Sequence, residues 1–143
     1  MNNKETRDII IELNRTQFQE LLQVNPGYVI IKFTATWCKP CARIKQQVEK
    51  WFSVLPKEFQ CVELDVDEND DIYAFLRKYK IVAGIPALLA YKQGNVSIGP
   101  NHSVLGSNIP EINRMFETCV KELKLIHSTT GVQTTGVQTT GTI

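Results

Sequence analysis

The chain is most informative first in what it lacks. Its longest apolar runs, such as Ile85 to Tyr91, fall far short of the about 20 residues that a membrane-spanning helix needs. Charge of one sign is missing too: 16 Lys and Arg against 15 Asp and Glu leave a formal net charge of +1. The basic residues are scattered, so neither a field nor a patch points to a nucleic acid or a membrane surface. Met1 to Asp8 is polar and charged, without the apolar centre of a secretory leader. With only 4 Cys in 143 residues, the chain is not a disulfide-stapled secreted scaffold. These absences predict a cytoplasmic protein, unless a leader was removed beforehand, with no nucleic-acid or membrane partner and acting as a monomer.

What is present suits one globular domain. The length can bury its own core, and 43% hydrophobic with 22% charged residues is an ordinary soluble balance. Asp8 to Leu13 reads as a first strand, and Thr16 as the cap of a helix with Phe18, Leu21 and Leu22 on its apolar face. Tyr28 to Thr34 has the composition of a buried central strand. Ile44, Val48, Trp51, Phe52 and Leu55 recur at helical spacing, up to Pro56. Phe59 to Val66 reads as a strand, and Ile72, Phe75, Leu76 and Tyr79 as a helix face. Ala87 to Tyr91 and Asn95 to Ile98 read as a hairpin turning at Lys92 to Asn95, with the second strand resuming at Ser103 to Leu105. A last helix, capped by Ser107 or Asn108 with Pro110 in its first turn, buries Ile112, Met115, Phe116, Cys119, Val120 and Leu123.

The order β-α-β-α-β-α-β-β-α predicts an α/β fold: a mixed central sheet of about five strands with about four helices on its two faces. The end of the chain is different in kind. Thr-Thr-Gly-Val-Gln occurs twice and is followed by Thr-Thr-Gly-Thr-Ile. Too little apolar surface is available there to offset ordering entropy. The division expected is therefore a domain at residues 1–126 and a disordered tail at 127–143.

Chemistry concentrates at Trp37-Cys38-Lys39-Pro40-Cys41. The pair follows the central strand and opens the long helix. Free N–H groups and the positive end of the helix dipole favour a thiolate there, so Cys38 is expected to ionise easily and act as nucleophile. Cys41, one turn further in, would resolve the mixed disulfide. A chance pair of structural cysteines is the plain alternative. A zinc site would need Cys61 and Cys119 as further ligands, since no second close pair exists. Both lone cysteines fall on apolar faces and read as inert core thiols.

The segment from Trp37 to Cys41 is similar to the active-site motif of the thioredoxin family. Phe33-Thr34-Ala35-Thr36 looks like its lead-in, and Val82-Ala83-Gly84-Ile85-Pro86 resembles the stretch carrying the family's cis-proline. The resemblance covers about residues 6 to 126. It implies a thioredoxin fold and a thiol–disulfide oxidoreductase that reduces disulfides in protein substrates without a cofactor. A thioredoxin reductase or a glutathione-linked reductant would recharge it. Trp37, Lys39, Pro40, Ile85 and Pro86 would meet the substrate, with Pro86 cis and Ile85 offering backbone groups to an extended peptide. Trp37 would also shield the thiols. Gly106, with Gly99 as rival, would be the family's glycine beside the site.

Departures from the pattern carry their own expectations. Lys39 stands where glycine is usual, and a cation there would make the couple less reducing. Lys32 and Glu63 stand where the family usually has an aspartate and a lysine. The charges thus look exchanged, and the pair is expected to sit behind Cys41 and handle its proton. Lys32 reaching solvent, with Glu63 facing out, is the other reading. His102 reads as a loop residue without a partner. A non-catalytic binding module, and a disulfide oxidase or isomerase, remain as alternative functions.

Overall fold

The computed structural model describes residues 7–135. Its centre is β1 (Tyr28–Thr34), where every side chain from Tyr28 to Phe33 is buried. Such a strand needs cover on both faces, and the chain supplies it from four helices: α1 (Arg15–Gln23), α2 (Lys39–Val54), α3 (Asp70–Lys78) and α4 (Ile109–Thr135). The other strands are β2 (Phe59–Asp65), β3 (Ala87–Lys92) and β4 (His102–Leu105). They form one sheet in the order β2-β1-β3-β4. β2 runs parallel to β1, and the β1–β3 and β3–β4 pairs are antiparallel. This is the mixed, helix-covered sheet that the element order predicts.

Alternation along β1 divides the core. Val29, Ile31 and Phe33 pack with Phe18 and Leu22 of α1 and Ile72 and Leu76 of α3. Tyr28 and Ile30 pack with Ile44, Val48 and Phe52 of α2 and Ile112, Phe116 and Leu123 of α4. Each large apolar side chain so buried contributes about 1.5–3 kcal/mol. Gly27, just before β1, is fixed by close approach. A Cβ there would lie 2.8 Å from the Leu123 side chain and 2.8 Å from Glu58 Cβ.

Local signals differ from the sequence expectation in three places. Asp8 to Leu13 is not a strand but a single bridge from Ile10 to Val62. Its next polar groups go to a side chain instead: Asn69 Oδ1 accepts from the Leu13 N–H at 3.0 Å and Asn69 Nδ2 donates to the Ile11 carbonyl at 3.2 Å. The sheet accordingly has four strands. The cap of α1 is Asn14, not Thr16, and it forms a capping box with Gln17. Asn95 to Ile98 is loop, because Asn95 and Asn101 satisfy the backbone themselves: Asn95 Oδ1 accepts from the Ser97 N–H at 2.9 Å, and Asn101 Oδ1 from the Lys92 N–H at 2.8 Å. The return strand begins only at His102.

One end of each long helix is anchored, the C-terminal end of α2 and the N-terminal end of α4. The Arg7 guanidinium donates to the carbonyls of Phe52, Leu55, Pro56 and Phe59, placing a cation at the negative end of α2. Asn108 Oδ1 accepts from the Glu111 N–H at 3.0 Å and so caps α4. The backbone of α4 continues to Thr135. Of the expected tail, residues 136–143 lie outside the described residues.

Candidate active site

β1 ends at Thr34, and a short turn closed by the Cys38 N–H on the Ala35 carbonyl (3.2 Å) delivers the chain to α2. Cys38 is the N-cap of that helix, and its Sγ accepts from the Cys41 N–H at 3.2 Å. Pro40 occupies the first turn, where its missing N–H costs little. The Cα atoms of Cys38 and Cys41 are 5.2 Å apart and the two sulfurs are joined as a disulfide. The pair can therefore cycle between disulfide and dithiol. The sulfur of Cys38 already occupies the place where a helix N-terminus would support an anion.

The loop entering β3 supplies a second wall. The Ile85–Pro86 peptide is cis, and Ile85 packs against the apolar cluster that holds Cys38, Cys41 and Ala87. The Gly106 N–H donates to the Pro86 carbonyl at 2.9 Å, so it is Gly106 and not Gly99 that braces this loop.

Behind the pair lies a cavity of about 300 Å³. Cys38, Cys41, Lys32, Lys45, Glu63 and Asp65 are among the residues that line it. Lys32 follows Tyr28 and Ile30 on the α2 side of β1, and it is 1% exposed. The parallel register sets it beside Glu63, with Nζ 3.6 Å from Oε1. Burial pulls the Lys32 ammonium below its usual value, and Glu63 opposes that pull.

Other singled-out residues fall as follows. Trp37 stands 65% exposed, and its Nε1–H is held by Asp67 at 2.8 Å. Asp67 had no signal in the sequence beyond its place in a turn. Lys39 is exposed at the start of α2. Trp51 is half-buried, stacks on Phe116, and donates to Asn113 at 2.8 Å. Cys61 and Cys119 are buried, and burial pushes each thiol up to about 12. Among the described residues, no three His, Cys, Asp or Glu side chains are grouped to hold a metal.

His102 corrects the expectation of a lone loop residue. It lies on β4, with Nε2 3.0 Å from Glu122 Oε1 on α4. The same oxygen accepts the buried Tyr28 hydroxyl. The pairing spans β1, β4 and α4 and is invisible to local pattern.

Residues 9–116 match the family model "Thioredoxin". Thioredoxin-2 of Pyricularia oryzae is 29% identical over 102 residues, covering 71% of this chain; the chain spans only 54% of that relative's length. Mitochondrial thioredoxin-3 of Saccharomyces cerevisiae is 31% identical over 102 residues, covering 69% of this chain and 76% of the relative. The crystal structure of Malassezia sympodialis thioredoxin superposes with a TM-score of 0.64 at 21% identity, covering 83% of this chain and 99% of that one, and so speaks to the fold alone. Among the described residues, no helix is long and apolar enough to cross a membrane. With the disulfide-linked pair at the head of α2 and the matching fold around it, the chain belongs to the thioredoxin family.

Proposed function

We propose that the protein reduces disulfide bonds in other proteins, as a carrier that is itself recharged by a thioredoxin reductase or a glutathione-linked reductant. The observation that carries this reading is the placement of Cys38 as N-cap, with its sulfur within bonding reach of Cys41. In the dithiol form, the Cys38 thiolate attacks one sulfur of the substrate disulfide. The Cys38–substrate bond forms, the substrate bond breaks, and one substrate sulfur leaves as a thiolate. Cys41 then loses its proton and attacks Cys38 Sγ, which expels the second substrate sulfur. Two electrons pass to the substrate, whose thiolates take up protons, and the Cys38–Cys41 disulfide remains.

The exposed Trp37 ring, Lys39 and Pro40 form the rim that meets the substrate in this reading. Ile85 and Pro86 offer backbone groups to an extended peptide. Residues 1–126 are the working domain. Free, buried Cys61 and Cys119 suit a reducing compartment, and we place the protein in the cytoplasm as a monomer.

Insulin reduction driven by dithiothreitol tests the function. The wild-type chain is expected to accelerate precipitation of the insulin B chain, and Cys38→Ser to abolish the acceleration. A wild-type rate equal to dithiothreitol alone means a binding module. A couple too oxidising to reduce insulin, yet able to oxidise reduced substrate proteins, means an oxidase.

A further inference from the structure

We propose that the Lys32 ammonium, buried behind the redox pair, stabilises the Cys41 thiolate and sets the poise of the couple, with Glu63 as the counter-charge that limits it. This rests on the reading of Cys38 and Cys41 as the working dithiol.

Lys32 is the one charged side chain among the buried residues described. An ammonium in that position is costly unless a charge partner compensates it. Glu63 is its one carboxylate partner within ion-pair distance among the described residues. At 3.6 Å the contact is longer than the about 2.7–2.9 Å of a charge-assisted hydrogen bond. The ammonium is therefore held in place without being fully neutralised. Its remaining field falls on what shares the cavity, and that includes Cys41 and Cys38.

The remaining charges around the cavity do not compete closely. Lys45 is tied to Glu49 at 2.6 Å, with both side chains more than half exposed. Asp65 Oδ1 accepts the Asp67 N–H at 2.8 Å in the turn after β2. Glu68 also lines the cavity, and it is exposed. Water screens exposed charges far more than it screens a side chain that is 1% exposed.

The consequence is chemical. In the resolving step the Cys41 S–H bond breaks, its proton leaves towards solvent, and the sulfur lone pair attacks Cys38 Sγ. A nearby cation lowers the cost of that ionisation. The disulfide and the neutral thiol gain nothing from the same cation, so Lys32 favours the reduced form where Cys41 is ionised. A couple whose reduced form is stabilised is more oxidising.

Site-resolved NMR titration of the reduced full-length protein reads the Cys41 thiol directly. Equilibration with glutathione reads the couple, and neither needs a protein substrate. Lys32→Met is expected to raise the Cys41 thiol pKa by roughly one unit. Measured above the Cys41 pKa, where the thiolate is the reduced species, the disulfide should then be about tenfold less oxidising, or ~30 mV lower. Lys32→Met with Glu63→Gln removes both charges, leaves none buried alone, and is expected to fall between wild type and the single variant. Lys32→Arg keeps the cation and should restore the wild-type position. A structural role alone would lower stability without ordering the thiol pKa in this series. Should Lys32→Met not fold, the double variant against wild type decides. Coincidence of the folded variants with wild type, or a downward shift, overturns the proposal. Failure of insulin reduction by the wild type would instead strike the functional reading and leave these titrations standing.

Discussion

The backbone N–H of Gly106 donates to the carbonyl of Pro86 across 2.9 Å, tying the end of β4 to the loop that walls the redox pair. Gly106 makes this contact at φ +99°, in the region that side chains avoid. A Cβ there would meet nothing within 4 Å. The backbone conformation, not a clash, is therefore what demands glycine.

Gly106→Ala is accordingly expected to cost about 1–2 kcal/mol from the positive φ alone. If the backbone relaxes to escape it, the Pro86 brace loosens as well. Thermal unfolding should show a midpoint several degrees lower. Insulin reduction should show a raised KM, with the potential of the Cys38–Cys41 couple unchanged.

The four thiols should differ sharply in reactivity. Burial raises Cys61 and Cys119 to about 12, and both lie in the core, while Cys38 heads a helix. After reduction, brief alkylation of the native protein at pH 7 should label Cys38. Cys61 and Cys119 should stay unlabelled until denaturant is added. Peptide mass spectrometry reads the sites, and early labelling of Cys61 or Cys119 would contradict their burial.

Glu122 supplies a pH dependence. Burial alone would raise its carboxyl, but the hydrogen bonds from Tyr28 and His102, together with the nearby charges of His102 and Lys92, outweigh burial and hold it below its usual 4.5. A carboxylate depressed in the folded state contributes stability above its unfolded value, and that contribution is lost as pH falls through the folded value. From about pH 4.5 downward the wild type should lose stability more steeply than Glu122→Gln. Urea midpoints at neutral and acid pH check this. Parallel losses in the two proteins would remove Glu122 from the account.

Lys39 sits in the first turn of α2, beside Cys38, as an exposed cation. Lys39→Gly should lower the potential of the couple, because the thiolate loses a neighbouring positive charge. The shift should be on the order of 10 mV, and smaller at high salt. Equilibration with glutathione at two ionic strengths measures both. A potential that rises, or stays fixed, would make Lys39 a mere solvated side chain.

Much of this molecule was legible where the physics is local. The apolar stripe of Ile44, Val48 and Phe52 is a property of one helix, and it packs as the spacing predicts. Cys38 at the head of α2 follows from a strand, a turn and Pro40, all within a dozen residues. The exchanged charges of Lys32 and Glu63 could be read as a pair because neighbouring strands set them side by side. Legibility failed where a side chain replaced a backbone partner. Asn69, far along the chain, takes the polar groups of residues 11 and 13 and so removes a strand that isoleucines alone suggest. Asn95 and Asn101 do the same to the hairpin arm.

By itself the sequence determined most of the elements and the cysteine pair at the head of α2, because hydrophobic period, caps and a Cys-x-x-Cys at a helix start act over a few residues. Only the tertiary structure decided what stands around them: the cavity that Lys32 shares with both cysteines, the Asp67 that holds Trp37, and the Glu122 that gathers Tyr28 and His102. The Asp67 and Glu122 contacts join residues 20 to 94 positions apart. Their formation depends on strand register and helix docking, where a slip of one residue would turn every side chain of a strand to the opposite face.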